Sequence, residues 1–278
     1  MKLLTFLAVM LISTCSLFAQ VDFDFDDFDI VIFSKEKKPF LGVNSAYTLN
    51  SYKNLSTELS PSLNTEFRIG YNYFGTTKRN LEKHASKYIS FTYSDPEIFK
   101  KDEINIKNKY WRVGINSLSG FSYKTGNTHI TPYISSAFTW TYMTANFTNA
   151  TQPERESLEL FHEAIRFGDK TELGLKVTIA QNIEIQAGFE RNLIYSRHLF
   201  WYWAGSKILE ETGKGLVDGF ISHVMNTSPN AVPIVNFLLK GAISYVFSEI
   251  KRDQAFWPFD SPAPYYNDSF GLGVNIIF

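Results

Sequence analysis

The chain has 278 residues, of which 44% are hydrophobic and 16% aromatic, including 25 Phe and 15 Tyr. So many aromatic residues favour strands over helices. The formal net charge of −1 indicates no concentrated basic surface, which excludes nucleic acid as an expected partner.

The first 20 residues, MKLLTFLAVMLISTCSLFAQ, have the pattern of a cleaved secretory signal peptide. Lys2 precedes an apolar run that ends near Ile12, and small or polar residues lead to Ala19 and Gln20. The only cysteine, Cys15, lies in this segment, and the residues before it fit a lipoprotein motif poorly. The mature chain is therefore expected to have no disulfide, and we expect no cofactor and no metal.

Residues 21–38 form an acidic N-terminal segment that contains VDFDFDDFDIVIF at 21–33. The alternation of Asp with Phe has two interpretations. The simpler is a periplasmic linker that its Asp residues keep soluble. The other is a contact with a basic partner or with divalent cations, because the barrel predicted below does not require this segment.

Strict alternation of apolar and polar residues begins after this segment. In 62–74 one face carries Leu63, Thr65, Phe67, Ile69, Tyr71 and Tyr73, and the other carries Asn64, Glu66, Arg68, Gly70 and Asn72. The same period of two recurs in seven further segments, namely 39–50, 86–94, 108–124, 129–143, 171–180, 183–191 and the C-terminal strand. A period of two is typical of strands with one buried face, so the sequence predicts eight strands.

Eight strands of about 9–11 residues are the smallest usual set for a transmembrane β-barrel. We therefore predict an all-β protein, with an antiparallel eight-stranded transmembrane barrel at 39–278 and a helical insertion at about 196–267. Elsewhere the sequence offers no stretch of 18 apolar residues for a membrane helix. The nearest, 231–247, is interrupted by Asn236 and Lys240.

The lengths of the connections support the barrel. The second, fourth and sixth connections are expected at the periplasmic side, at 75–85, 126–127 and 181–182, and the last two of them are two-residue hairpin turns. The other four are long and are expected to face outward, at 51–61, 95–107, 144–170 and 192–267. This asymmetry is typical of outer-membrane barrels.

Aromatic residues at the outer ends of the strands indicate a membrane interface. All five tryptophans are expected there: Trp111, Trp140, Trp201, Trp203 and Trp257. Five tyrosines join them: Tyr110, Tyr142, Tyr202, Tyr265 and Tyr266.

Charged residues on the inward face form a second candidate site. They are Glu66, Arg68, Arg112, Glu172, Lys176, Glu184 and Glu190. An isolated buried charge is costly, so the simpler interpretation is a salt-bridged plug that fixes the shape of the barrel. The alternative is a solute path or a substrate-binding cluster, although a barrel of eight strands is mostly filled by side chains.

The chain ends in SFGLGVNIIF, with apolar residues at every second position. These are Phe270, Leu272, Val274, Ile276 and Phe278. With this ending, the chain resembles the small eight-stranded outer-membrane barrels of the OmpA/OmpX-like type, and the LFAQ signal ending suggests the Bacteroidota. The resemblance implies the outer membrane of a Gram-negative bacterium, and a C-terminal pattern that the barrel-assembly machinery reads. We expect the last strand to pair with the first near Leu41–Leu49.

The insertion before the last strand contains two segments with helical spacing. The first is 206–225, and the second opens near Pro233, a favoured residue at a helix start. Together they predict a helical hairpin whose apolar faces need cover from each other, from the barrel rim or from a partner. An alternative makes 234–248 a strand, because its polar residues share one parity.

The leading functional hypothesis is a non-enzymatic outer-membrane barrel with a structural or binding role, and one form of that role is as a subunit of a larger envelope complex. Its expected partners are outer-membrane lipid and an envelope protein, bound through the insertion or residues 21–33. One alternative is a lipid-modifying enzyme, for which His198 with Ser196 is a candidate by position alone. Ser222 and His223 are adjacent in the sequence, but neighbours on a helix point apart. The other alternative is a narrow passive channel.

Overall fold

Eight antiparallel strands close into a barrel in which every strand pairs with its neighbour in the sequence and β1 pairs with β8. The computed structural model describes residues 32–53, 55–77, 80–96, 106–146, 150–180 and 182–278, with side chains from residue 37 onward. The strands are β1 Ile32–Tyr52, β2 Ser62–Thr76, β3 Glu82–Asp95, β4 Lys107–Thr125, β5 Thr128–Asn146, β6 Ala164–Ile179, β7 Ile183–Ile194 and β8 Tyr265–Ile277. The helices are α1 Gln152–Glu159, α2 Phe200–Thr227 and α3 Val232–Ile250.

The predicted fold class is confirmed, although the strands are longer than expected, at 12 to 21 residues. β1 begins at Ile32 and pairs with the end of β2, so the acidic segment is shorter than the predicted 21–38. The predicted signal peptide and residues 21–31 lie outside the described residues. β6 begins at Ala164 and not at 171, because α2 covers its outward face there and alternation no longer marks the strand.

Alternate side chains point into the lumen and out of the wall, as the period of two predicts. On β2, Glu66 and Arg68 are 3% and 2% exposed, whereas Phe67 and Ile69 are 55% and 60% exposed. The same contrast between buried polar and exposed apolar side chains runs along β1, β3 and β8. The barrel therefore has a polar interior and an apolar outer surface.

The two ends of the barrel differ. We call one end the turn rim, where the connections 77–81, 126–127 and 180–182 lie. The opposite end is the loop rim, with the connections 53–61, 96–106, 147–163 and 195–264. Short connections at one rim and long ones at the other confirm the predicted asymmetry. The helix α1 in the third long connection was not predicted.

The insertion is a helical hairpin on the outside of the barrel. At the start of α2, Trp203 packs on Phe138 and Phe167 near the loop rim. At the other end, Ile221 packs in one cluster with Leu81, next to the turn rim. The 28 residues of α2 extend about 42 Å, so this helix runs the full height of the wall and α3 returns along it.

These contacts decide between the alternatives for the insertion. The predicted helical hairpin is confirmed, and the strand at 234–248 is wrong, because α3 covers those residues. The outer wall of the barrel, and not its rim, covers the apolar face of the hairpin. The hairpin therefore lies against the side of the barrel and is not the outward-facing loop that the sequence predicted.

The expectation that no other segment is long and apolar enough for a membrane helix is also wrong. Residues Pro229–Ile250 are long and apolar enough to cross a membrane. Asn236 does not interrupt the helix, because it is 6% exposed within the packed structure. Lys240 does not interrupt the helix either, because it forms an ion pair with Asp218 on α2.

Candidate functional site

A continuous ion-pair network crosses the lumen. Arg68 Nε donates to Glu66 Oε1 at 2.5 Å, and its terminal nitrogen donates to Glu172 at 3.2 Å. Lys170 Nζ lies between Glu66 at 3.0 Å and Glu190 at 3.2 Å. The network joins β2, β6 and β7 across the interior, so it constrains the cross-section of the barrel.

Further pairs extend the network along the lumen. Arg112 lies 3.3 Å from Glu190, and its guanidinium stacks over the ring of Tyr110 at 5.4 Å. Nearer the turn rim, Lys176 Nζ and His84 Nε2 lie 3.4 Å and 3.5 Å from Glu184. Removing these charges from water is costly, and close pairing offsets that cost.

All seven predicted inward charges face the lumen and are at most 8% exposed. Each of them lies in an ion pair, as the plug interpretation requires. Sequence reasoning missed Lys170, because that residue precedes the predicted strand at 171–180. Extending the alternation by one inward position would have found it. With Lys170, four basic residues face four acidic ones, so the network is formally neutral.

Little free space remains around these charges. A cavity of about 10 Å³ lies beside Glu172 and Glu190, which is room for about one water molecule. Towards the turn rim the interior is filled by a cluster of Phe40, Tyr88, Leu118, Tyr133 and Ile277. The described lumen is therefore a packed core and not a passage.

An apolar plug also fills the loop-rim end of the lumen. It consists of Tyr52, Ile106, Tyr110, Met143, Leu158, Phe161, Ile194 and Tyr265. Leu158 comes from α1 and Phe161 from the turn that follows, so this segment acts as a lid. The predicted role of Tyr110 and Tyr265 at the membrane interface is wrong, because both side chains point inward.

One carboxylate holds the lid to the first long loop. Glu154 of α1 accepts hydrogen bonds from the backbone N–H groups of Ser56 at 2.9 Å and Thr57 at 2.8 Å. It also accepts bonds from the Thr151 N–H and hydroxyl, both at 2.8 Å. Burial opposes its ionisation, but these donors outweigh burial and hold the pKa of Glu154 well below its ordinary value.

The five tryptophans all lie near the loop rim. Trp111 stacks on Tyr142 with ring centroids 5.4 Å apart, and Trp140 packs against Phe167 at 5.8 Å. On α2, Trp201 is 81% exposed. Trp203 packs on the wall as described above, and Trp257 lies 6.3 Å from Phe247 at the end of the hairpin. Their role at a membrane interface stays a prediction.

Charged groups between α2 and the wall are all paired. Asp169 points outward from β6 and accepts hydrogen bonds from the Tyr195 hydroxyl at 2.8 Å and Trp203 Nε1 at 3.3 Å. Glu210, only 4% exposed, accepts bonds from Lys251 at 2.7 Å and Lys214 at 2.8 Å. The Asp169 contact with Trp203 holds the start of α2 against the barrel, and the Glu210 contacts join α2 to Lys251, the residue after α3.

A second outward cluster ties α3 to the last two strands. Arg191 of β7 makes two bonds to Asp268 of β8, at 2.6 Å and 2.7 Å. It also donates to Glu249 of α3 and lies over the ring of Tyr245 at 5.3 Å. Sequence reasoning missed this cluster, since nothing in the pattern of β7 indicated that a helix would cover Arg191.

The candidate catalytic residues do not form one site. His198 is exposed at the loop rim and packs edge-on against Phe167, with ring centroids 5.3 Å apart, while Ser196 is buried at 4% exposure. Ser222 and His223 lie on α2 near the turn rim, at the opposite end of the barrel. Within the described ranges, no group of three His, Cys, Asp or Glu side chains is placed to hold a metal ion.

The apolar residues of the predicted assembly signal all lie on the outward face of β8 or directly after it. Phe270, Leu272, Val274, Ile276 and Phe278 are 50–68% exposed. β8 pairs with β1 from Ile277 opposite Phe40 to Tyr265 opposite Tyr52, which confirms the predicted closure of the barrel. Recognition of these five apolar residues by the barrel-assembly machinery stays a prediction.

Comparison with known proteins gives a likeness to solved barrels only. No family model matches the chain, and no curated protein matches its sequence. The crystal structure of Neisserial surface protein A has 8% identity and a TM-score of 0.44, over 88% of this chain and 100% of that one. Ail, the attachment invasion locus protein of Yersinia pestis, has 8% identity and a TM-score of 0.33, over 87% of this chain and 99% of that one. The barrel assignment rests on the strand pairing of this chain.

Proposed function

We propose that this chain is an integral outer-membrane barrel protein with a non-enzymatic, structural or binding role, in which a helical hairpin crosses the bilayer along the outer wall. One observation carries the proposal. The outer surface of the barrel and hairpin is apolar over the height of a bilayer core, while the described lumen is filled. Such a protein acts through its surfaces.

The height of the apolar surface supports a membrane location. On β8 the outward residues from Ile276 to Phe270 are apolar, and the first outward charge is Asp268. The eight residues between Ile276 and Asp268 rise about 20 Å at the usual strand tilt. This distance is close to the apolar band of roughly 25 Å that outer-membrane barrels present to lipid.

The hairpin continues the same surface. Its outward side chains Trp201, Leu216 and Ile208 are 81%, 78% and 66% exposed, and Leu238 on α3 is 57% exposed. Facing water, a patch of this extent is an aggregation liability. Facing lipid, it is the ordinary state of a membrane helix, and the charges of the hairpin are paired as that environment requires.

The filled lumen argues against the passive-channel alternative. Ion pairs and an apolar plug occupy the interior, and the cavity among them holds about one water. Planar-bilayer recordings of the purified protein should show no conductance above background. A reproducible unit conductance would instead support the channel.

The proposed binding role places the partner-contacting surface on the hairpin or on residues 21–33. Gentle detergent extraction from native membranes, followed by pull-down, would test it: an envelope protein should copurify, and a protein that always emerges alone would contradict the subunit role.

The enzyme alternative has a separate test. The lipid A of a deletion strain should keep its acyl pattern, whereas a changed pattern would support the enzyme alternative.

Cysteine labelling tests the membrane location directly, because Cys15 in the signal segment is the only native cysteine. Leu216→Cys on α2 should resist a water-soluble maleimide in intact membranes and react with a lipid-soluble one. Leu41→Cys on the wall is the matched control for lipid exposure, and Lys53→Cys at the loop rim is the control for water exposure. Rapid labelling of Leu216→Cys by the water-soluble reagent would place the hairpin outside the bilayer.

A further inference from the structure

An apolar groove of about 730 Å³ lies between α3 and the outer wall of β6, β7 and β8. Ala187 of β7 forms its floor. Leu175 on β6 and Leu272 on β8 flank Ala187 as its direct cross-strand partners. Ile234 and Phe237 close one side from α3, so the groove is a trough with a methyl group at its base.

The position of α3 leaves this trough open. The helix packs mainly over β4, β5 and β6, and an added Cβ at Gly241 would lie 3.5 Å from Leu173 of β6. This close approach places the middle of α3 over β6, and only the end of α3 reaches Arg191 of β7. Because β6 and β8 are two strand spacings apart, the trough is about 10 Å wide at its base.

The two ends of the groove differ in chemistry. Towards the loop rim, the Arg191, Asp268 and Glu249 cluster lies directly beyond Phe270. Towards the turn rim, the next outward side chains are Ile185 and Val274, which are 47% and 50% exposed. An apolar ligand can therefore enter along the wall from the turn rim, whereas paired charges bar entry from the loop rim.

We infer that this groove binds an acyl chain of a phospholipid from the leaflet at the turn rim. The inference rests on the membrane location proposed above. The lining is apolar, so the ligand needs no hydrogen bonds from it. A helix with its side chains is about 10–12 Å across and does not fit between Leu175 and Leu272, while a single hydrocarbon chain does. Left empty, the lining would lose its dispersion contacts.

Photolabelling in vesicles tests the inference with the full-length mature chain. The protein is reconstituted in phosphatidylethanolamine and phosphatidylglycerol vesicles that contain a phospholipid with a photoreactive group in its acyl chain. Ala187→Phe fills the trough. Thr65→Phe is the matched control, because Thr65 points outward in the same row, linked through Ser45 to Leu272, but on the far side of β1.

Wild type and Thr65→Phe should be labelled preferentially on the α3 peptide that carries Ile234 and Phe237. Ala187→Phe should lose this preference several-fold, and Ala187→Leu should lose part of it. Labelling of α3 no stronger than labelling of the wall around Leu41, or unchanged labelling in Ala187→Phe, would overturn the inference. Loss of labelling when unlabelled lipopolysaccharide is added would overturn the choice of a phospholipid chain.

Insertion is scored separately in the same samples by heat-modifiable electrophoretic mobility. A wild-type protein that does not insert contradicts the proposed membrane location. Inserted protein with uniform labelling contradicts the groove alone. If Ala187→Phe does not insert, the comparison of α3 with the Leu41 wall in wild type and the result for Ala187→Leu decide the matter.

Discussion

Lys240 of α3 forms an ion pair with Asp218 of α2, and this pair joins the two helices in the half of the hairpin nearer the turn rim. Both side chains are about one quarter exposed, on a hairpin that lies against an apolar wall. Each charge is tolerated there because the other is beside it.

Removing one member of this pair should be more harmful than removing both. Lys240→Met leaves Asp218 without its cation, and we expect a loss of about 3 kcal/mol in the free energy of unfolding. The double variant Asp218→Leu with Lys240→Met should recover most of that loss. Urea unfolding in vesicles, followed by tryptophan fluorescence, measures both. Equal loss in the single and double variants would show that the pair does not hold the charges in place.

Lys170 should be among the most sensitive basic residues of the lumen, because, like Arg68, it pairs with two carboxylates at once. Lys170→Met leaves both carboxylates with less compensation, at a cost of about 3–5 kcal/mol. Lys53→Met is the matched control: its pair with Asp253 is exposed and contributes roughly 0–1 kcal/mol. The measurement is heat-modifiable electrophoretic mobility. The temperature at which the protein loses the mobility of the folded barrel should fall for Lys170→Met and not for Lys53→Met.

Glu154 should make the attachment of the lid depend on pH. Its folded pKa is lowered from the ordinary value of 4.5, so its contribution is fully present above about pH 4.5 and is lost as the pH falls towards the folded pKa. Hydrogen exchange of 55–60 and 150–163 should show faster opening in Glu154→Gln than in wild type at pH 6. The difference corresponds to about 2–3 kcal/mol and should shrink below pH 4.5. A difference independent of pH would mean that the charge of Glu154 is not what closes the lid.

Phe161 should hold the apolar plug in place. Its ring lies 5.4 Å from Tyr52 and 5.7 Å from Tyr265 by ring centroids, and it is 1% exposed. Phe161→Ala should destabilise the lid by about 3–5 kcal/mol and make 150–163 sensitive to protease from the loop side. Leu160→Ala is the control, because Leu160 is 36% exposed. Equal cleavage of both variants would contradict the packing role of Phe161.

The alternation of residues determined most of the barrel. A period of two assigns each side chain to one face, and the hydrophobic effect decides which face meets lipid and which is closed in. For that reason the inward charges Glu66, Arg68 and Glu172, and the outward residues of β8, could be predicted from the sequence. The helical spacing of the insertion likewise predicted the hairpin.

The tertiary structure alone decided where the hairpin lies and what it covers. Helical periodicity shows that a helix needs cover on one face, but it does not identify the covering surface, which depends on the direction of the chain after β7. Once α2 and α3 lie on the wall, Asp169 and Arg191 can point outward and still be paired. The strand pattern is lost at such positions, because burial there comes from a distant segment and not from the alternation of the strand itself.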